Sequence, residues 1–90
     1  MVERTYKIIS DSGIHARVAS QLVREATSFN CDICLLLGET EVDFKSIMGV
    51  MSLGVYKDEI IKVICSGSDE EEAINHLEFF LFDLKIARVY

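Results

Sequence analysis

Hydrophobic residues fall along this chain in two rhythms. Apolar residues at every second position mark residues 4–9, where Tyr6 and Ile8 share a face, 32–37, where Ile33 and Leu35 do, 41–44 with Val42 and Phe44, and 59–66 with Ile61, Val63 and Cys65. A period of two puts such residues on one side of a strand, so four strands are predicted. Ala19, Leu22, Val23, Ala26 and Phe29 recur instead at helical spacing. They predict a helix that opens at His15 and ends near Asn30. Ala73, Ile74, Leu77, Phe80, Leu81 and Leu84 form a second helical stripe. Ser68-x-x-Glu71 reads as its capping box, and the acidic run 69–72 complements its dipole. Between the third and fourth strands, Ser46 has the character of an N-cap for a short helix over 47–53, which Gly54 can close.

The predicted order is βαββαβα in one domain over residues 1–90. Gly38-Glu39 is a short turn that makes strands two and three antiparallel. With a single sheet, the helices are expected to cover one face, giving an α+β open-faced sandwich of four antiparallel strands and three helices. A ferredoxin-like split βαβ domain, with nearly the same element order, is the alternative.

The helix start carries the candidate chemistry. In Ser12-Gly13-Ile14-His15-Ala16-Arg17, Gly13 suits a backbone turn and delivers His15 to the opening helical N–H groups, which have no partner inside the helix. Those donors and the positive end of the dipole form an anion site, and Arg17 can fork onto two oxygens of the same anion. A phosphate on His15 would be held from both sides, by Ser12 and the amides of Ala16 and Arg17 and by the guanidinium. The same field favours the neutral, nucleophilic imidazole. The plainer alternative is a histidine filling a capping position beside a solvated arginine.

Gly13-Ile14-His15-Ala16-Arg17 followed by Lys45-Ser46-Ile47-Met48-Gly49-Val50-Met51-Ser52-Leu53 resembles HPr, the histidine phosphocarrier family of the bacterial sugar phosphotransferase system, over essentially the whole chain. The resemblance implies the open-faced sandwich and a phosphoryl group accepted on His15 from enzyme I and passed to the IIA components of sugar permeases. It also implies regulatory phosphorylation of Ser46 by an HPr kinase/phosphorylase, with a catabolite control repressor as partner of that form. The alternative within the resemblance is a regulatory module acting mainly through phosphoserine 46. One departure is Val18, where the family pattern usually has proline. Valine leaves the helix start possible but less rigid.

On the first helix Arg17, Ser20 and Arg24 form a stripe that suits docking against acidic partners. Ile47, Met48 and Met51 are too many for one buried edge of so short a helix. Core packing is assigned to Ile47 ahead of the two methionines, which suit a surface that meets several partners.

Composition narrows the classes. A net charge of −6 and a pI near 4.7 argue against nucleic-acid binding. No apolar run approaches a membrane span and the first residues lack a signal-peptide core, so membrane insertion is not expected and the chain should be cytoplasmic. Cys31 and Cys34 form C-x-x-C, but residues three apart on a strand point to opposite faces, and neither His15 nor His76 stands at ligand spacing. No metal and no cofactor are expected, and the three cysteines read as structural.

Two apolar surfaces lack an obvious cover: Ile9, Cys34, Leu36, Ile60 and Ile64 on the outer sheet face, and Phe79, Phe82 and Ile86 on the far side of the last helix. They predict either a homodimer through one of these surfaces or a tail, residues 85–90, folded across part of the sheet.

Overall fold

The computed structural model describes residues 1–90 as strands β1 Val2–Ile8, β2 Asp32–Leu37, β3 Thr40–Asp43, β4 Ile60–Ser66 and β5 Ala87–Val89, with helices α1 Ala16–Thr27, α2 Ile47–Leu53 and α3 Glu70–Asp83. The strands make one antiparallel sheet in the order β3-β2-β4-β1-β5. β4 is central because its Ile61, Val63 and Cys65 meet inward residues on both sides. Ile61 pairs with Tyr6 and Leu37, Val63 with Leu35, and Cys65 with Ile33. These side chains form one core with Ala19, Leu22, Val23 and Ala26 of α1, Val50 of α2, and Ala73, Ile74, Leu77 and Leu81 of α3. All three helices thus cover one sheet face. Each fully buried Leu or Ile of this set contributes about 1.5–3 kcal/mol.

The sandwich has five strands where four were predicted, because the tail does not fold across the sheet. It adds β5 to the free edge of β1, pairing Tyr6 with Val89 and Ile8 with Ala87. The turn that sends it there follows α3. Lys85 takes a left-handed φ of 56°, its N–H donates to Phe82 at 3.0 Å, and the N–H of Ile86 donates to Leu81 at 2.9 Å. This is a Schellman closure with lysine where glycine is usual, accompanied by the expected apolar contact from the residue just past the turn. Ile86, predicted on the far side of the last helix, is therefore buried, and Leu84, predicted in the core stripe, is exposed at the helix end.

The start of α3 also differs. Its N-cap is Asp69, one residue later than the predicted Ser68, and the returning carboxylate is that of Glu70, which accepts from the Gly67 N–H at 3.1 Å. Asp69 is occupied elsewhere. Its carboxylate accepts from the amides of Asn30 and Cys31 at 2.8 and 2.9 Å, tying the end of α1 to the start of α3. These donors hold the Asp69 carboxyl below the usual range.

α2 runs Ile47–Leu53 as predicted, with the Ser46 hydroxyl accepting from Gly49 N–H at 3.0 Å and Gly54 left-handed at its end. Ile47 is not a core residue, however. It is 46% exposed, Met48 81% and Met51 40%, because Val50, buried, and Leu53, partly buried, form the inward side of α2. α1 ends at Thr27, short of the predicted Asn30, and Phe29 packs half-buried beyond it. Cys31 precedes β2 and is buried, as is Cys65, whereas Cys34 sits half-buried on the helix-free face; all three are free. That face also keeps Leu36, Ile60 and Ile64 half-buried and Ile9 exposed. Phe79 and Phe82 stay exposed on α3. No helix is long and apolar enough to cross a membrane.

Candidate functional site

The site begins with a turn closed by Gly13 N–H donating to Ser10 O at 3.0 Å. Gly13 is required there twice over. Its φ is +62°, and a Cβ would lie 2.3 Å from Val55 O and 2.9 Å from Tyr56 Cα. The close approach lets Ile14 N–H donate to Val55 O at 3.1 Å. Further ties fix the same turn. Lys57 Nζ meets Asp11 at 2.8 Å, and the carbonyl of Ile86 accepts from the N–H groups of Ile9 and Ser10. The Lys57 ammonium holds the Asp11 carboxyl below its ordinary value.

From this anchored turn the chain enters α1 with His15 as N-cap, in extended backbone geometry (φ −91°, ψ 176°). Its ring is half-buried and caps no amide of the helix. The first helical donor with a partner is Ala19, whose N–H reaches His15 O at 2.8 Å. The N–H groups of Ala16, Arg17 and Val18 consequently have no acceptor in the protein. Arg17 is exposed and forms no ion pair. An imidazole, an unpaired guanidinium and three open amides therefore share the electropositive end of a 12-residue helix, an arrangement that can hold an anion on the ring.

Ser12 lies exposed in the turn with its hydroxyl unpaired, and Ser20 is half-buried one turn into the helix. Arg24 stands in the last turn of α1, about 10 Å along the axis from Arg17, where it complements the negative helix end. Ile47, Met48 and Met51 form an exposed apolar patch on α2. Ser46 is not part of the His15 cluster. It opens α2, whose other end leads through Gly54 into Val55, so the two lie at opposite ends of a helix about 10 Å long. No group of His, Cys, Asp and Glu side chains converges in a metal-holding way.

Three contributors carry no sequence signal near His15: Val55, Lys57 and Ile86 are separated from it by about 40 to 70 residues and hold the turn mainly through main-chain atoms or a surface charge. Both Val55 and Ile86 are buried, although the pattern singled out neither as core and set Ile86 on the uncovered side of the last helix. The one surface hollow, of about 370 Å³, lies against β2 and β3 around Asp32, Cys34, Glu41 and Asp43, and includes none of the site residues. His15 is presented on the surface and not in a pocket, which fits a partner that brings its own cleft.

A family model described as the PTS HPr component phosphorylation site matches residues 2–82. Among solved structures, a histidine-containing phosphocarrier protein of Mycoplasma is 29% identical, with 97% of this chain and 99% of that one aligned at a TM-score of 0.94. HPr from Thermoanaerobacter tengcongensis is 41% identical over 94% of both chains at 0.86. Crh, the Bacillus subtilis catabolite repression protein, seen as a domain-swapped dimer, is 35% identical over 92% of this chain and 95% of its own at 0.73. These likenesses decide the architecture for the open-faced sandwich over the ferredoxin-like alternative.

Proposed function

The chain belongs to the HPr family of phosphotransferase-system phosphocarriers, and from that premise we propose that His15 is the residue on which it carries the phosphoryl group. A lone pair of the neutral imidazole forms a nitrogen–phosphorus bond as the bond between phosphorus and the donor, enzyme I, breaks. The reverse exchange hands the group to a IIA component of a sugar permease. One phosphoryl group moves in each step and the carrier returns unchanged. Arg17 and the open amides at the mouth of α1 balance the charge on the phosphoryl oxygens. The observation that carries this reading is the surface-placed histidine at a helix start whose first three N–H groups have no acceptor.

The partner-docking surface is the ground around that histidine: Arg17, Ser20 and Arg24 on α1 for acidic partners, and Ile47, Met48 and Met51 on α2 for apolar contact. Ser46 serves regulation. An HPr kinase/phosphorylase adds a phosphate there that the α2 terminus tolerates, and the added charge beside the apolar patch weakens docking at His15 while making a surface for a catabolite control repressor. The likeness to Crh supports keeping a mainly regulatory role as the second reading.

Incubation with enzyme I and phosphoenolpyruvate is expected to yield an acid-labile, base-stable phosphate that H15A abolishes. Label that appears only with ATP and a serine kinase, and disappears in S46A, would establish the regulatory reading instead.

A further inference from the structure

We propose that the main-chain N–H of Val18 is a further donor to the phosphoryl group, acting with the amides of Ala16 and Arg17; this rests on His15 being the phosphorylated residue. His15 is the N-cap of α1, and Ala16, Arg17 and Val18 are its first three helical positions. A side-chain acceptor on an N-cap residue is placed to reach the amides two and three residues on. Here those are Arg17 and Val18. The His15 ring makes no such bond, and the Val18 amide has no other acceptor.

Phosphoryl oxygens on the ring extend the N-cap side chain by an acceptor group that carries negative charge, the kind of partner these amides lack. The Val18 side chain packs against the core, and the Ala19 N–H bond to His15 O begins the regular helix directly behind it. Its N–H is therefore already aimed along the helix axis toward the mouth, and holding the phosphoryl group needs no rearrangement there. The side chain of Val18 is incidental to this role; what matters is that the residue has an amide hydrogen.

Two measurements test it. In isotope-labelled protein phosphorylated through enzyme I, the Val18 amide is expected to move downfield in step with those of Ala16 and Arg17; a Val18 resonance that stays in place while His15 is phosphorylated overturns the proposal. V18P deletes this donor at a position where the first helical turn accommodates the proline ring, and the rigidity it adds would by itself favour the bound anion, so a lowered ratio reports the lost N–H. Equilibrated with phosphoenolpyruvate and pyruvate, it should hold a ratio of phosphorylated to free protein about five- to tenfold below that of the unaltered chain, while its Arg17 amide still responds. An unchanged ratio overturns the proposal. If H15A still takes up the label, the function proposed above fails and this inference with it.

Discussion

Gly13 and Gly38 share a φ of +62° but differ in surroundings, which makes their alanine substitutions a matched pair. At Gly38 a Cβ meets no atom within 4 Å. G38A should therefore show only the cost of alanine in left-handed geometry, about 1 kcal/mol. At Gly13 the same methyl lies 2.3 Å from Val55 O and 2.9 Å from Tyr56 Cα, both main-chain atoms that cannot swing aside. One of the two segments must shift. That adds about 1 kcal/mol for the Ile14–Val55 hydrogen bond and about 1–3 kcal/mol for overpacking, for a total of about 3–5 kcal/mol. In a domain of this size the melting temperature falls by roughly 4–8 °C for each kcal/mol, so G38A should lose about that much and G13A more than about 12 °C. Thermal unfolding followed by circular dichroism measures both. Because the shifted segment carries His15, G13A should also be phosphorylated about tenfold or more slowly at temperatures where it is folded. Equal losses of melting temperature in the two variants would refute the claim that contact with Val55, and not backbone geometry alone, makes glycine necessary at residue 13.

Arg17 forms no ion pair and is exposed, so R17A should leave the melting temperature unchanged yet slow phosphoryl transfer by about 10- to 100-fold, read by label transfer from enzyme I. Burial pushes the Cys65 thiol up from its ordinary value of 9.0 to about 12. Its neutral form is thus favoured by folding, so that contribution is whole below pH 9 and is lost as pH rises toward 12; denaturant titrations should show a shallower alkaline decline for C65A. Alkylation at pH 8 should reach Cys34 first, and Cys31 and Cys65 only after unfolding, because those two are buried while Cys34 is partly exposed; all three thiols are pushed up by desolvation, so exposure sets the order. Asp69 has the opposite sign: its carboxyl is held low by the Asn30 and Cys31 amides, so its contribution is present above the ordinary 3.8 and is lost as pH falls below it. D69A should lower the melting temperature near neutrality and flatten the acid limb of the stability profile.

The secondary elements were legible because their causes are local. Alternation in residues 59–66, helical spacing from Ala19 to Ala26, and Ser46 and Gly54 at the ends of α2 each act within a few residues, so sequence alone determined seven of the eight elements and which strand faces turn inward. It also placed His15 at the mouth of α1, since a helix start and its unpaired amides follow from the chain's own pattern. Where it failed, the deciding atoms were distant. β5 is three residues long, and its direction is set by a left-handed lysine that only the Leu81–Ile86 contact explains. The N-cap of α3 fell on Asp69 and not Ser68, with the Asp69 carboxylate turned away from its own helix to the Asn30 and Cys31 amides, about 40 residues away. Ile47 faces solvent because Val50 and, in part, Leu53 supply the inward side of α2. The hold on the His15 turn by Val55, Lys57 and Ile86 is of the same kind. A main-chain carbonyl is identical in every residue, so which one lies against Gly13 is decided only when the sheet and helices have packed.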